Sequence, residues 1–246
     1  MNDEYKPPVD YSMPRQCGLY GPPPYIYHNM RAILAVVQCE PGLKEKFLPP
    51  EFEPIEYGLD LIFITEYPES NLGPYNEALI MLYCSYKGNP GAYVFNIYVD
   101  SEEALTAGRE IYGYPKKMCD IKLSQIQNNK VRGTLTRKGV TFLDIEVELT
   151  NKPPGMDPSD MIANMPLYNL KLIPDVQDNS KPALRQLTET VLSWTVHKKI
   201  GANINYLKTE YSKFDICHEV LKNAQINRGA IYVECDQILP NGKLLE

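Results

Sequence analysis

Short hydrophobic runs of strand length dominate the pattern along this chain, and turn residues separate them. Ile, Val, Tyr and Phe are frequent in the runs, and these side chains favour strands. The breaks between the runs carry turn residues, for example Gly88, Pro90 and Gly91, or Lys138 and Gly139. The pattern predicts strands over 26–37, 59–67, 77–86, 92–99, 117–126, 130–137, 140–149, 168–173, 184–199 and 230–238.

Helical signals are few. Ser101 followed by two glutamates is typical of a capping box, and it predicts a helix over 102–111 that ends before Gly113. An apolar face at helical spacing predicts a second helix over 211–224, and a short helical piece is expected over 42–48. Strands and helices do not alternate regularly, which argues against a Rossmann or TIM architecture. We therefore expect a mainly β (α+β) fold, in which a mostly antiparallel sheet curls into a closed barrel or cone with a few flanking helices.

The length of 246 residues suits a single all-β domain, and we expect one domain over 1–246. Hydrophobic residues make up 43% of the chain, and a domain of this size can form a stable core without disulfide bonds or structural metal ions. Prolines cluster in residues 1–24, which we interpret as an N-terminal arm. The arm is expected to pack over the body or over a neighbouring subunit, although a partly disordered tail has the same composition.

Charge and motif content argue against several functions. The formal charge is -6 and no basic run is present, so nucleic-acid binding is not expected. No apolar run reaches the ~20 residues of a membrane span, and the first residues do not resemble a signal peptide. The six cysteines are scattered, which favours reduced thiols, and we expect a cytoplasmic protein. Three scattered histidines predict no metal site, and no phosphate loop or dinucleotide motif indicates an organic cofactor.

Two adjacent lysines, Lys116 and Lys117, follow a Gly-x-Pro break after the predicted helix. Adjacent lysines are usually solvated surface charges, but Tyr114 and Pro115 help to fix the position of this pair. Neighbouring strand residues point to opposite faces, so one lysine can face a closed interior while the other faces elsewhere. Desolvation lowers the pKa of a lysine and makes its amine a nucleophile toward carbonyls. We expect desolvation to be the main cause of activation and the neighbouring charge of Lys117 to be the lesser one.

Several segments resemble, in order, the signature segments of the acetoacetate decarboxylase family. They are Tyr27-His28-Asn29, Gly73-Pro74-Tyr75-Asn76-Glu77, Arg109-Glu110 with Tyr114-Pro115-Lys116-Lys117, Tyr168-Asn169-Leu170-Lys171, and Ile238-Leu239-Pro240. The resemblance implies a homo-oligomeric enzyme without a cofactor, which forms an imine with a small keto acid or ketone substrate. It implies that Lys116 is the nucleophile, that Lys117 tunes it and that Glu77 handles protons. An exposed or salt-bridged strand glutamate is the alternative for Glu77.

The sequence departs from the family pattern at two expected pocket positions. In an ungapped comparison, the substrate-side arginine of the family falls on Met30 and its second glutamate falls on Ile62. With Tyr114, these two residues are the expected lining of the substrate pocket. Their apolar character favours a larger or less polar carbonyl substrate. Decarboxylation of a β-keto acid is the leading hypothesis. An aldolase or dehydratase that uses the same lysine and a non-catalytic binding module that keeps the fold are the alternatives.

Overall fold

Fifteen strands form one hydrogen-bonded sheet in the computed structural model, which describes residues 10–56, 59–150 and 165–245. In chain order they are β1 (Tyr25–Val37), β2 (Phe52–Pro54), β3 (Asp60–Tyr67), β4 (Glu69–Ser70), β5 (Tyr75–Tyr86), β6 (Asn89–Val99), β7 (Lys116–Met118), β8 (Asp120–Leu123), β9 (Lys130–Arg137), β10 (Val140–Leu149), β11 (Leu167–Pro174), β12 (Pro182–Thr190), β13 (Ser193–Thr209), β14 (Ala230–Leu239) and β15 (Lys243–Leu244). The order across the sheet is β15-β12-β11-β6-β5-β3-β1-β14-β13-β10-β9-β8, with β2 on β5, β4 on β1 and β7 on β6.

This sheet confirms the predicted mainly β (α+β) class, but the predicted closure into a barrel or cone is not confirmed. The hydrogen-bonded path runs from β15 to β8, and within the described ranges these two end strands do not pair with each other. The sheet instead curves until β8 lies against β3, β5 and β6. This curvature covers one face of the central strands. The helical region before β7 and part of the N-terminal arm cover the other face.

The alternation of strand side chains divides the interior into two cores, one on each face of the central strands. In β1, Leu34 and Val36 belong to the first core, whereas Ile33 and Ala35 belong to the second core. The first core includes residues of the helical region, and the second includes residues of β8, β9 and β10. Successive residues of one strand therefore reach different environments.

The helix predicted before the lysine pair is present. Helix α1 (Glu102–Ala107) begins after Ser101, whose hydroxyl oxygen accepts a hydrogen bond from the Ala104 backbone N–H at 3.2 Å. A π-helical turn, Gly108–Tyr112, continues it and ends at Gly113, whose φ of 77° lies in the left-handed region. This ending directs the chain into β7.

Two predicted strands are each divided into two. The predicted strand 117–126 becomes β7 and β8, because the first piece pairs with β6 and the second with β9. The predicted strand 184–199 becomes β12 and β13, because these pieces pair with β11 and β14 in separate parts of the sheet. Strand β13 also continues to Thr209, well beyond its predicted end.

The helix predicted over 211–224 is much shorter in the structure. Only helix α2 (Cys217–Leu221) forms, because the Asp215 carboxylate accepts the Cys217 backbone N–H at 2.9 Å and starts the helix there. The piece predicted over 42–48 is a single 3-10 turn, Lys44–Lys46.

Part of the proline-rich arm packs on the body of the molecule. Tyr20 is buried in the first core, and its hydroxyl donates a hydrogen bond to Glu110 Oε2 at 2.6 Å. Residues 1–9 of the arm lie outside the described residues. The six cysteines are free thiols, as predicted. Within the described part of the chain, no helix has the length and apolarity needed to cross a membrane.

Candidate active site

Lys116 is held at the start of β7, where it pairs in parallel with Ile97 of β6. Its side chain is only 5% exposed, and its backbone N–H donates to the Tyr114 carbonyl at 2.7 Å. The helix end at Gly113 and the following Pro115 bring the chain into this strand. A lysine at the first position of this strand is therefore fixed in the interior, as the sequence predicted.

The ammonium group of Lys116 has one carboxylate partner, Glu77 of β5. Lys116 Nζ lies 2.7 Å from Glu77 Oε2, and both side chains are at least nine-tenths buried. The rings of Tyr75 and Tyr114 lie beside the ammonium, with centroids 5.7 and 5.8 Å from Nζ. Among the alternatives considered for Glu77, an exposed strand position is therefore wrong, and a buried salt bridge is present.

Gly108 makes room for the stem of Lys116. A Cβ atom at Gly108 would lie 2.6 Å from both Cδ and Cε of this lysine, which is closer than side-chain carbons approach each other. The missing side chain of the glycine thus allows the aliphatic part of Lys116 to run directly along the π-helical turn.

Lys117 points to the opposite side of the sheet, as predicted from the strand alternation. Its Nζ lies 3.1 Å from Asp215 Oδ2 and 5.8 Å from the centroid of the Tyr98 ring. Asp215 also accepts hydrogen bonds from the Tyr98 hydroxyl at 2.7 Å and from the backbone N–H of Cys217. The charge of Lys117 is therefore compensated locally, away from Lys116.

A mostly apolar cavity lies against Lys116 and Glu77. Its apolar wall is formed by Phe63, Leu79, Met81, Ile97, Leu167, Leu192, Trp194 and Leu239. Its polar lining consists of Tyr27, Tyr67, Glu77, Tyr114, Lys116 and Gln237. Within this lining Lys116 is the single cation and Glu77 the single carboxylate, so no arginine is available there for a bidentate contact with an anion.

A cluster of tyrosines packs around Glu77. The ring centroids of Tyr27 and Tyr67 are 4.3 Å apart, and those of Tyr67 and Tyr75 are 4.9 Å apart. Burial, together with the nearby Glu77 charge, raises the pKa of all three hydroxyls well above the usual value. The phenols therefore stay protonated near neutral pH. The Tyr67 hydroxyl lies 3.5 Å from both Glu77 Oε1 and Gln237 Oε1, and its single hydrogen can be donated to either oxygen.

The predicted pocket residues have three different outcomes. Tyr114 lines the cavity, with its hydroxyl 2.6 Å from Thr190 Oγ1. Met30 is fully buried in the first core but is not part of the cavity lining. The prediction for Ile62 is wrong, because its side chain lies in the second core and the next residue, Phe63, faces the cavity. A shift of one residue along a strand moves a side chain to the opposite face.

Arg31 and Glu66 are charged residues near Met30 and Ile62 in the sequence, and neither of them lines the cavity. Arg31 forms an ion pair with Glu66 and donates to the Leu123 and Ser124 carbonyls, each at 2.7 Å. Arg31 directly follows Met30 on β1, so strand alternation directs its side chain to the opposite face. The pair holds β8 against the second face of the sheet.

Gln237 and Trp194 are among the cavity residues that the sequence did not single out. Neither residue lies in a motif of the sequence. Trp194 pairs with Gln237 across β13 and β14, and Gln237 pairs with Tyr27 across β14 and β1. The strand register was the only signal that could have revealed them, because these residues are distant in sequence.

The indole N–H of Trp194 is a buried donor that finds no acceptor among the described residues. An unmade hydrogen bond of this kind costs about 1–3 kcal/mol. Among the described residues, no hydrogen bond joins the Gln237 amide nitrogen to an acceptor, whereas the Gln237 side-chain oxygen faces the Tyr67 hydroxyl. In the same ranges, no group of three or more His, Cys, Asp or Glu side chains is arranged to hold a metal ion.

Comparison with known proteins assigns the family. Residues 8–219 match the family model described as acetoacetate decarboxylase, and the chain therefore belongs to this family. It is similar to the acetoacetate decarboxylase of Ralstonia nicotianae, with 26% identity over 166 residues that cover 68% of this chain and 67% of that protein. A relative from Bradyrhizobium diazoefficiens, acetoacetate decarboxylase 1, is 25% identical over 173 residues, which cover 70% of this chain and 68% of that protein.

Solved structures share the fold at low sequence identity. The acetoacetate decarboxylase of Legionella pneumophila has a TM-score of 0.88 at 23% identity, covering 100% of this chain and 98% of that one. An acetoacetate decarboxylase-like enzyme from Sphingomonas wittichii has a TM-score of 0.80 at 18% identity, covering 94% and 96%. The enduracididine biosynthesis enzyme MppR, complexed with pyruvate, has a TM-score of 0.78 at 19% identity, covering 97% and 98%. Family membership supports an enzyme of the lyase kind.

Proposed function

We propose that this protein is a Schiff-base-forming lyase that decarboxylates a β-keto acid through an imine on Lys116. The observation that carries the proposal is the position of the Lys116 amine in a mostly apolar cavity, with Glu77 as its one carboxylate partner at 2.7 Å. The mostly apolar lining supports a carbonyl substrate of low polarity.

Glu77 has the position needed to move the protons of the first step. It would accept a proton from the Lys116 ammonium, and the freed lone pair would attack the ketone carbon of the substrate. Protonation of the resulting hydroxyl lets water leave and gives a protonated imine. The same carboxyl group can supply that proton, because burial raises the pKa values of the neighbouring Tyr67 and Tyr75 hydroxyls and makes them poor proton donors.

The carbon–carbon bond to the carboxylate breaks in the next step. Its electron pair moves to form the enamine, the cationic nitrogen becomes neutral, and carbon dioxide leaves. Protonation of the enamine carbon and hydrolysis then release the ketone and restore the Lys116 amine. The positive imine and the negative carboxylate are both neutralised when this bond breaks. A weakly polar cavity without an arginine favours such a step, because it stabilises the separated charges less than water does.

Aldolase or dehydratase chemistry through the same imine is the second candidate. It is favoured by the lack of a cationic carboxylate contact in the described cavity lining. MppR, which shares the fold, has also been solved with the condensation product of pyruvate and imidazole 4-carboxaldehyde. In that reaction class the enamine would attack an aldehyde, and the substrate would keep its carboxylate.

Borohydride trapping tests the proposal. The protein is incubated with acetoacetate and with longer β-keto acids, reduced, digested and analysed by peptide mass spectrometry, while released carbon dioxide is measured in parallel. We expect an adduct on Lys116 whose mass lacks the carboxylate. Lys117→Met serves as the matched control and should keep the adduct, whereas Lys116→Met should lose it.

The outcomes separate the candidate functions. An adduct on Lys116 that keeps the carboxylate, without carbon dioxide release, would favour the aldolase or dehydratase. The absence of any adduct with every ketone would overturn the imine mechanism and favour a non-catalytic binding module. The predicted homo-oligomeric state and cytoplasmic location belong to the same proposal, and sedimentation velocity measures the first of them.

A further inference from the structure

We propose that Trp194 and Gln237 form a carboxylate subsite built from neutral donors, which takes the place of a cationic contact for the β-keto acid. This inference rests on the proposed function and deepens it. It assigns the indole N–H and the side-chain amide to the substrate's carboxylate oxygens, opposite the carbonyl that reacts with Lys116.

The two donors are neighbours on one face of the sheet. Gln237 of β14 lies directly opposite Trp194 of β13, and it also lies opposite Tyr27 of β1. Side chains of directly opposed residues in antiparallel strands are close and share a face. All three residues line the cavity that contains Lys116. They therefore form a continuous row across three strands.

Both donors are available for a ligand. The Trp194 Nε1–H is buried and has no acceptor within the described ranges. The Gln237 side chain is 4% exposed, and its oxygen is the atom that faces the Tyr67 hydroxyl. Its amide nitrogen is left for another acceptor. Buried donors are nearly always paired in folded proteins, so an acceptor supplied by the substrate explains the unpaired indole.

A carboxylate is the ligand that best suits this arrangement. Charge-assisted hydrogen bonds are stronger than neutral ones, so two uncharged donors can orient a carboxylate. They do so without placing a second positive charge near the imine. Met30 belongs to the first core but offers no donor, and its cross-strand partner Cys235 lies two residues before Gln237 on β14.

The chain offers an unusually selective test, because Trp194 is its only tryptophan. Growth of a tryptophan-requiring host on benzothienylalanine replaces the indole N–H by sulfur at this position alone. Gln237→Leu removes the second donor, and Gln125→Leu, at an exposed position, is the matched control. Rates of borohydride-trapped imine formation are measured with a β-keto acid and with the ketone formed from it by loss of carbon dioxide.

We expect each change to lower the second-order rate constant of imine formation with the keto acid about tenfold, which is the effect of losing one hydrogen bond to a charged group. The rate with the ketone should change less than twofold. Equal losses with both substrates would indicate a structural role and would overturn the subsite, as would no loss with either. The control should match the parent protein with both substrates.

A binding measurement separates failure of this subsite from failure of the imine mechanism. Hexanoate has a carboxylate but no ketone, and its binding can be followed by the fluorescence of Trp194. We expect hexanoate to bind about tenfold more weakly to the Gln237→Leu variant than to the parent, even if no imine forms. Absence of hexanoate binding, or equal binding to both proteins, would contradict the subsite.

Discussion

Two buried lysine–carboxylate pairs of this protein have opposite surroundings. Lys116 and Glu77 are 2.7 Å apart beside a cavity, whereas Lys44 and Asp60 are 2.8 Å apart with both side chains only 1% exposed. Burial and distance alone would make the two pairs equivalent. The remaining hydrogen-bond partners distinguish them.

The Lys44 pair is saturated with hydrogen bonds. Lys44 Nζ also donates to the carbonyls of Ile55 and Tyr83, at 2.5 and 3.3 Å. Asp60 also accepts the backbone N–H groups of Cys39 and Tyr83, at 3.0 and 2.9 Å. All three ammonium hydrogens thus have acceptors, and removal of a proton would break a complete network.

The Lys116 pair is left unsaturated. Its ammonium has one oxygen partner, two aromatic rings and a cavity beside it. An amine that can lose a proton without breaking other hydrogen bonds is suited to attack a carbonyl. The comparison shows that an incomplete set of hydrogen bonds to the ammonium group, rather than burial itself, distinguishes a lysine suited to reaction from a structural one.

The largest expected effect is on catalysis at Lys116. Lys116→Met should remove imine trapping and turnover completely, because no other described amine lines the cavity. Its free energy of unfolding should fall less than that of a Lys44 variant, because Lys116 has a single carboxylate partner whereas Lys44 Nζ also donates to two carbonyls. Borohydride trapping and urea unfolding measure the two effects. Residual trapping at another lysine would contradict the comparison.

Lys44→Met should instead reduce stability. It leaves Asp60 as an uncompensated buried charge, which typically costs about 3–5 kcal/mol. The loss of stability is measured by urea-induced unfolding. The turnover rate per folded molecule should stay near that of the parent protein. The double variant Lys44→Met with Asp60→Leu should recover part of the loss, because an apolar pair can replace a buried ion pair. If the double variant were less stable than both single variants, the saturated network would have a different role.

Glu77→Gln should lower turnover about 100-fold, because it removes proton transfer at the reacting amine. The amide keeps a hydrogen-bond acceptor near Lys116, so folding should be less affected than by loss of Lys44. Steady-state kinetics gives the turnover number, and urea unfolding of the same preparation gives the free energy of unfolding. A change confined to KM would show that Glu77 binds substrate without handling protons.

Lys117→Met should have the smallest effect of the four. Lys117 is 30% exposed whereas Lys44 is 1% exposed, so water can reach the Asp215 carboxylate once the ammonium is removed, and we expect a loss of about 1–2 kcal/mol in unfolding free energy. Imine trapping at Lys116 should fall less than threefold, since the two lysines face different sides of the sheet. A loss of trapping as large as that of Glu77→Gln would show that the charge of Lys117 is the main activating influence.

The sequence predicted those parts of the site that depend on local structure. The helix end at Gly113, the Pro115 break and strand alternation together predicted that one lysine of the pair faces the interior and the other a different face, and the family resemblance chose Lys116 as the interior one. The family resemblance added Glu77, which the structure places beside Lys116.

Features that depend on pairing between distant strands could not be predicted in the same way. Trp194 and Gln237 meet only through the register of β13 and β14, and no local pattern encodes that register. The ungapped comparison placed Ile62 in the pocket, but one residue of displacement put Phe63 there. The apolar pattern of 211–224 was helical, yet the Asp215 carboxylate starts the helix only at Cys217.

The close approach between Gly108 and the stem of Lys116 has an evolutionary consequence. Codons for glycine and alanine differ by a single nucleotide, and the added methyl group would overlap Cδ and Cε of the lysine. Such a change would leave the amine, the carboxylate and the cavity lining chemically intact while displacing the nucleophile from its partner. A descendant of this chain could therefore keep every reactive group of the family signature and still lose the chemistry.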